Sequence, residues 1–169
     1  MPDVYVCVDS QLIRDSQEEI DKYGSHIKFI GDSCQDFWMK EHKNKYRIHT
    51  IAQDSYRLLP NFSIDISQKV YGGATVTYPC IQIAIYLGFK KIYLVGVDCN
   101  YVKNSVNNYF FKSNVEDNRN HHEDRMISSY IAAKKYADEH GIKIYNATRG
   151  GALEVFERVD FDSLFKGGK

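Results

Sequence analysis

An excess of charge of either sign is missing from this sequence. Its 169 residues include 22 lysines and arginines against 22 aspartates and glutamates. Proteins that bind nucleic acids or anionic membranes through bulk charge usually carry a field of one sign, so we expect no nucleic-acid partner. No apolar run approaches the roughly 20 residues that cross a bilayer. The N-terminus also lacks the basic flank and cleavage site of a signal peptide. These absences predict no membrane span and a cytoplasmic location.

Motifs that would identify a cofactor are absent as well. There is no GxGxxG and no GxxxxGKS/T, which argues against a dinucleotide fingerprint or a P-loop. The cysteines form no CxxC pair and have no histidine at ligand spacing, so reduced, buried thiols are expected rather than a disulfide or zinc framework. No repeat or linker divides residues 1–169, which predicts a single domain. The cysteines are Cys7, Cys34, Cys80 and Cys99.

Hydrophobic patterning alternates between strand-like and helix-like segments. Short β-branched and aromatic runs predict strands, and apolar residues at helical spacing predict helices. This alternation is typical of an α/β, Rossmann-like fold with a mostly parallel sheet and helices on both faces, whose ligands bind beyond the carboxyl ends of the strands. The strands are expected at 4–8, 26–30, 46–51, 92–97 and 142–145, and the helices at 12–23, 77–87 and 126–137, with a weaker helical pattern at 36–40.

The clearest helix lies in the middle of the chain. Thr75 or Thr77 can cap its start, and Gly88 can end it in a left-handed conformation. Its apolar residues leave almost no polar face, so burial on nearly all sides is expected. The strand after it has no polar alternation either, which is typical of a central parallel strand. Ser16 and Glu19 form a candidate capping box in the first helix.

Two aspartates, Asp9 and Asp98, directly follow predicted strands. A carboxylate at the carboxyl end of a parallel strand can hold a ribose hydroxyl, a magnesium ion or a substrate amine. The alternative for each is an aspartate that caps the following turn.

Other candidates stand at the predicted starts of helices. Thr75 and Thr77 follow a glycine pair that ends in Gly73, and the free amides of the helix after them could meet a phosphate or carboxylate. His121 and His122 precede the last long helix. Because the positive end of a helix dipole disfavours imidazolium, we expect a neutral histidine there that can accept a proton. A solvated loop histidine is the alternative.

Three further segments carry weaker signals. Residues 99–120 are polar and rich in tyrosine, phenylalanine and asparagine, and a long irregular segment of this kind is often functional, so we expect a lid. Asp160 and Asp162 have the spacing of the metal-binding DxD of sugar-nucleotide transferases, although chance carboxylate pairs are common. The run at 40–45 is more typical of a solvated connection than of a nucleic-acid patch.

The segments GGATVTYPCIQIAIYLGFKKIYLVGVDCNY and IKIYNATRGGALEVFERVDFDSLF resemble the MptE-like family, named after an archaeal 6-hydroxymethylpterin diphosphokinase. This resemblance extends over residues 4–165. Many bacterial members occur with surface-polysaccharide or flagellin-glycosylation genes. The helix–strand unit ending in GVD, the tyrosines after it and a histidine before the last long helix are more distantly similar to Campylobacter-type sialyltransferases, which are single-domain Rossmann-like glycosyltransferases.

The sialyltransferase resemblance implies roles for individual residues. Thr75 falls at a threonine near the bound nucleotide sugar, and Tyr101 and Tyr109 fall near tyrosines that hold the donor phosphate. His122 or His121 matches the catalytic base. A neutral imidazole would take the proton of an acceptor hydroxyl while tyrosine hydroxyls stabilise the departing phosphate, and such a mechanism needs no metal.

One departure from both families concerns the start of the chain. Their members begin with a strand, a glycine-rich turn of the form GNGPSL that contacts the nucleotide, and a further strand before the segment that resembles VYVCVD. This sequence starts at that later segment. We therefore expect either a piece of a longer protein or a short member that lacks half of its nucleotide site. Homo-oligomerisation or a partner would then cover the open sheet edge.

Three functions follow as hypotheses. The leading one is a glycosyltransferase-like enzyme that transfers a nucleotide-activated sugar to a glycan acceptor in bacterial cell-surface glycan biosynthesis, with no required cofactor. The second is magnesium-dependent pyrophosphoryl transfer from ATP to a hydroxymethylpterin, with Asp9 and Asp98 converging on the phosphates. The third is a non-catalytic Rossmann-like binding module.

Overall fold

The computed structural model describes residues 1–32, 44–53, 58–100 and 122–166, and it has the mixed α/β composition that the sequence predicts. The strands are β1 (Val4–Cys7), β2 (Ile27–Gly31), β3 (Lys45–Ile48), β4 (Thr50–Ile51), β5 (Val70–Tyr71), β6 (Lys91–Leu94), β7 (Lys143–Asn146) and β8 (Glu157–Arg158). The helices are α1 (Ser10–Asp15), α2 (Gln17–Lys22), α3 (Thr77–Tyr86) and α4 (His122–Glu139), and a 3₁₀ helix spans Phe161–Phe165.

Every strand pairing among the described residues is parallel. The pairs form three sets in the orders β1-β2-β3, β4-β5 and β6-β7-β8. The register places Val6 beside Phe29 and Tyr93 beside Tyr145. Parallel neighbours need crossover connections, and helices supply them here: α1 and α2 lie between β1 and β2, and α4 lies between β6 and β7. The Rossmann-like α/β prediction is confirmed.

The β1-β2-β3 sheet carries helices on both faces. Successive residues of a strand point to opposite faces. Cys7 of β1 therefore packs with Ile13 of α1 and Ile20 of α2. Val6 points to the other face and packs against a cluster that includes Ile83 of α3.

The largest apolar cluster lies between α3, α4 and the β6-β7-β8 sheet. Tyr78 and Ile81 of α3 are buried together with Tyr130 and Ala133 of α4 and with Leu94 of β6. Since α3 also contributes to the cluster on the first sheet, this helix packs against both parts of the core.

The first predicted helix is divided into two. α1 ends at Asp15, α2 begins at Gln17, and Ser16 between them adopts φ −123° and ψ 30°. Ser16 occupies the N-cap position of α2, but its side chain makes no capping hydrogen bond, so the predicted capping box with Glu19 is wrong. An N-cap side chain reaches the amides of the first turn from an extended backbone, which Ser16 does not have.

α3 differs from the prediction in its cap and in its exposure. Its N-cap residue is Val76, while Thr75 Oγ1 accepts the N–H of Thr77 at 3.2 Å, so neither threonine is the cap. Tyr86 at its last turn is 46% exposed, so the expected burial on nearly all sides is wrong there. Gly88 has φ +91° and ends the helix as predicted.

β6 is shorter than its sequence pattern predicts, and the described part of the chain gives it one neighbouring strand. Among the described residues it pairs only with β7, so the prediction of a central strand is wrong for this part of the chain. Leu94 is buried, but Tyr93 and Val95 on the opposite side are 42% and 57% exposed. The unbroken apolar run therefore reflects one buried face and one exposed apolar face.

Some predicted features fall outside the described residues. These include the weak helical pattern at 36–40 and nearly all of the expected lid at 99–120. The described helices include none with the length and apolarity needed to cross a membrane.

Candidate functional site

A cleft of about 560 Å³ opens beside β1 and its carboxyl end, where a Rossmann-like sheet places ligands. Its walls are β1, the loop between β5 and α3, and the first turn of α4. The volume falls in the range of about 300–1,000 Å³ that is usual for small-molecule sites. Four predicted site residues line it, namely Asp9, Gly73, Thr75 and His122.

Asp9 is both a cleft residue and the N-cap of α1. Its Oδ1 accepts the N–H of Gln11 at 2.8 Å and the N–H of Leu12 at 3.0 Å, from an extended backbone. The capping alternative for this aspartate is confirmed. Because both hydrogen bonds use Oδ1, the second carboxylate oxygen remains as an acceptor for a ligand or cation.

The loop before α3 is held against α4 by a glycine. Ser129 Oγ donates to the carbonyl oxygen of Gly73 at 2.9 Å. A Cβ on Gly73 would overlap Ser129 Oγ and lie 2.6 Å from Tyr78 Cδ1, so a larger residue could not approach as closely. Ala74 then turns the chain with φ +60°, a left-handed conformation that is uncommon outside glycine. These contacts fix the position of Thr75 in the cleft wall.

A buried glutamine that the apolar helix pattern did not indicate fixes the segment leading into this loop. The Oε1 of Gln82 accepts the N–H groups of Ser63 and Tyr71, each at 3.0 Å. Its Nε2 donates to the carbonyl oxygens of Tyr71 at 2.8 Å and Tyr78 at 3.2 Å. All four hydrogen-bonding positions of the amide are therefore used, and one side chain sets the position of β5 relative to α3.

His122 lies within the first turn of α4 (His122–Glu139), whereas the sequence placed it before the helix, and it lines the cleft together with Met126 one turn later. Its catalytic role stays a prediction. The other candidates of the same mechanism, His121, Tyr101 and Tyr109, lie outside the described residues.

Two sequence-predicted site residues do not line this cleft. Thr77 is the first residue of α3, and its N–H is bound by Thr75. Asp98 follows β6, where its carbonyl oxygen accepts the N–H of Ala152 at 2.6 Å. Gly151 packs against the backbone of Asp98 so closely that a Cβ there would lie 2.6 Å from the same carbonyl oxygen.

The DxD aspartates are engaged in local contacts. Asp160 Oδ1 accepts the N–H of Ser163 at 2.8 Å and caps the 3₁₀ helix. Asp162 pairs with Arg149 at 2.6 Å. Nowhere in the described ranges do three histidine, cysteine, aspartate or glutamate side chains gather as a metal site.

Three cysteines are free thiols, as expected. Cys7 and Cys99 are buried, and Cys80 is half-buried. Burial raises the pKa of Cys80 to about 11; burial, followed by the nearby charges of Glu123 and Asp98, raises the pKa of Cys99 to about 11. Protonated thiols are weak nucleophiles, so these are structural residues. Cys34 lies outside the described residues.

A carboxylate–imidazole pair that was not among the predicted site residues stands close to the cleft. Asp32 follows β2, His49 follows β3, and Asp32 Oδ2 lies 2.8 Å from His49 Nδ1. The strand-end rule that singled out Asp9 applies equally to Asp32, so a signal was present. The pairing itself depends on the β2-β3 register, which no sequence pattern contains.

Comparison with known protein families gives a match over the first part of the chain. The sequence model of a family described as MptE-like, 6-hydroxymethylpterin diphosphokinase MptE-like, matches residues 1–104. No curated protein and no solved structure matches the chain. The matched range contains β1 to β6 and every residue that lines the cleft except His122 and Met126.

Proposed function

Since the chain belongs to the MptE-like family, we propose that its cleft binds a nucleotide and that the protein transfers the pyrophosphoryl group of ATP to the hydroxyl of a hydroxymethylpterin. The observation that carries this proposal is the overlap between the family match and the cleft. If the cleft were unrelated to the family's site, we would expect its lining residues to lie mainly outside the matched residues 1–104.

The composition of the cleft suits a nucleotide. Val6, Val8 and Leu12 supply apolar surface for a planar ring. Asp9 supplies a polar group at the carboxyl end of β1, and Thr50, Thr75 and His122 supply others from neighbouring elements. The glycine-containing loop that leads into α3 borders the cleft, so amides of the first turn of this helix are near the place where phosphates would lie.

A magnesium ion accompanies ATP in such transfers and usually takes one or two carboxylates together with phosphate oxygens and water. Asp9 is the acidic side chain among the described lining residues, and one of its oxygens is committed to capping. This donor set does not fit a cation held by protein alone. It does fit a cation that arrives on the nucleotide, where it would neutralise phosphate charge.

Calorimetric titration with ATP, with and without magnesium, tests the site. Asn caps a helix as well as Asp, so Asp9→Asn should keep the stability of the native protein and weaken the binding of Mg–ATP. Asp15→Asn, at the exposed last residue of the same helix and not in the cleft lining, is the matched control and should bind as the native protein does. Turnover is measured as AMP released from ATP in the presence of 6-hydroxymethylpterin. No release by the native protein would refute the proposed reaction.

Glycosyl transfer is the second candidate, because Thr75 and His122 line the same cleft. Thermal-shift measurements with CMP, UDP and GDP distinguish the two. Stabilisation by one of these nucleotides without magnesium, followed by loss of sugar transfer in His122→Ala, would favour it. A native protein that responds to no nucleotide would favour a non-catalytic module instead.

A further inference from the structure

Asp32 and His49 occupy equivalent places at the carboxyl ends of adjacent strands. The main chains of Asp32 and His49 are both hydrogen-bonded to neighbouring strands. The N–H of Asp32 donates to the carbonyl oxygen of Ile48 at 3.0 Å, and the carbonyl oxygen of His49 accepts the N–H of Val70 at 2.7 Å. The two side chains therefore project from a fixed frame at the edge where this fold places its ligands.

The carboxylate is held on both oxygens. Asp32 Oδ1 accepts the N–H of Thr50 at 2.8 Å, and Oδ2 lies 2.8 Å from His49 Nδ1. The side chain of Asp32 is 13% exposed, whereas that of His49 is 58% exposed. Asp32 is thus a covered orienting group, and the imidazole reaches the surface.

The charge state of Asp32 fixes the tautomer of His49. Burial works to raise the pKa of this carboxyl, but the hydrogen bonds from Thr50 and His49 and the charges of His49 and Arg47 outweigh it and lower the pKa below its usual value. An ionised carboxylate only accepts hydrogen bonds, so His49 Nδ1 carries a proton. In the neutral imidazole, Nε2 then keeps its lone pair.

The pair adjoins the cleft. Thr50, whose amide is bound by Asp32 and which follows His49 in the chain, lines the cleft. Gly31, which precedes Asp32, packs so closely there that a Cβ would lie 2.9 Å from Thr50 Oγ1 and 3.0 Å from Val8 Cα. Asp32 and His49 do not line the cleft themselves, but each directly neighbours in the chain a residue at its wall, Gly31 or Thr50.

We propose that His49, oriented by Asp32, accepts the proton of the substrate hydroxyl that attacks the nucleotide in this cleft. The inference rests on the proposed pyrophosphoryl transfer. The hydroxyl oxygen forms a bond to the β-phosphorus of ATP, and the bond from that phosphorus to the oxygen bridging the α-phosphate breaks. AMP leaves with the electron pair, and the hydroxyl proton passes to Nε2 and then to solvent. Asp32 is a positioning residue, since it acts through His49.

Steady-state release of AMP from ATP with 6-hydroxymethylpterin tests this inference. His49→Asn keeps a donor toward Asp32 but loses the proton acceptor, so kcat should fall about 100-fold or more, the usual range for general base catalysis. The dissociation constant of Mg–ATP should stay within threefold. His26→Asn, an exposed histidine at the amino end of β2, is the matched control and should retain native kcat.

Affinity and stability separate catalysis from a structural role. His49→Asn should lose kcat while its affinity for Mg–ATP and its thermal unfolding midpoint stay at the native values. Asp32→Asn should also lower kcat and leave the dissociation constant of Mg–ATP within threefold, because it removes the carboxylate that orients the His49 imidazole. An active native protein with a His49→Asn kcat within threefold overturns the inference and leaves the proposed function standing. A native protein without turnover overturns both.

Discussion

Substituting alanine at Gly73 tests the tightest approach in the wall of the cleft. The new Cβ would overlap Ser129 Oγ and lie 2.6 Å from Tyr78 Cδ1 and 2.7 Å from Ser129 Cβ. Real Cβ atoms do not approach so closely, so the loop or α4 must shift. Overpacking of this kind costs about 1–3 kcal/mol. The displaced loop would also move the Gly73 carbonyl oxygen away from Ser129 Oγ, whose single proton is shared with the carbonyl oxygen of Arg125, also at 2.9 Å, so this loss adds at most about 1 kcal/mol.

The neighbouring glycine supplies the control. A Cβ on Gly72 would lie 3.5 Å from the carbonyl oxygen of Ile51 and 3.9 Å from Ala52 Cα, which are ordinary contacts. A Gly→Ala change at a compatible site lowers the entropy of the unfolded chain and stabilises by about 0.4–1 kcal/mol. Gly73→Ala receives the same entropic stabilisation, so its free energy of unfolding should fall by a net value of about 1–3 kcal/mol. Gly72→Ala should leave the free energy of unfolding unchanged or raise it slightly.

Urea unfolding of the two variants measures the difference. A change in midpoint at constant slope reports stability alone, and each kcal/mol should move the thermal midpoint by roughly 2–4 °C in a chain of this size. Because Gly73 borders the cleft, Gly73→Ala should also weaken nucleotide binding. Equal midpoints for the two variants would refute the packing argument, because the substitutions share their chemistry and differ only in the space around each Cβ.

The remaining predictions concern buried polar groups, backbone conformation and thiols. Gln82→Leu should lower the free energy of unfolding by about 2–5 kcal/mol, because it leaves the N–H groups of Ser63 and Tyr71 without their hydrogen-bond acceptor. Gln68→Leu, at an exposed position, is the control and should change it little in the same urea titration. Gly151→Ala should destabilise the protein more than Gly150→Ala. Both glycines have φ above +70°, but only at Gly151 would a Cβ meet the backbone of Asp98. Equal losses in the thermal unfolding midpoints of the two variants would show that this contact does not matter. In a variant with Cys34→Ser and Cys80→Ser, the two buried thiols of Cys7 and Cys99 should react with a disulfide reagent at pH 8 only on unfolding, and rapid labelling of the native state would contradict their burial.

Local signals in the sequence predicted the parts of the fold that depend on local physics. β-branched and aromatic runs located β1 to β4, β6 and β7, but they gave no signal for the two-residue strands β5 and β8. Gly88 marked a helix end through its left-handed conformation, and Asp9 was recognised as a strand-end aspartate with two alternative roles. Ser16 shows the limit of such signals. Its capping-box spacing was correct, but the chain enters α2 directly from α1, so its backbone is not extended.

The exposure of apolar segments could not be read from the sequence. The pattern of α3 and β6 predicted burial on all sides, yet Tyr86 and Tyr93 are more than 40% exposed. An apolar residue in the sequence shows only that its side chain can be buried at low cost. Whether a neighbour covers it depends on which elements pack there, and that is a property of the assembled chain.

The sequence by itself determined the α/β class and the mostly parallel pairing, because the alternation of strand-like and helix-like segments depends on periodicity within a few turns. It also carried the resemblance to the MptE-like family, in the two segments quoted for it. Only the tertiary structure decided which candidates share a site. It brought Asp9, Gly73, Thr75 and His122 to one cleft, left Asp98 out of its lining, and placed Asp32 beside His49. The physical reason is strand register and helix packing, which join residues far apart in the chain through contacts that no local pattern encodes.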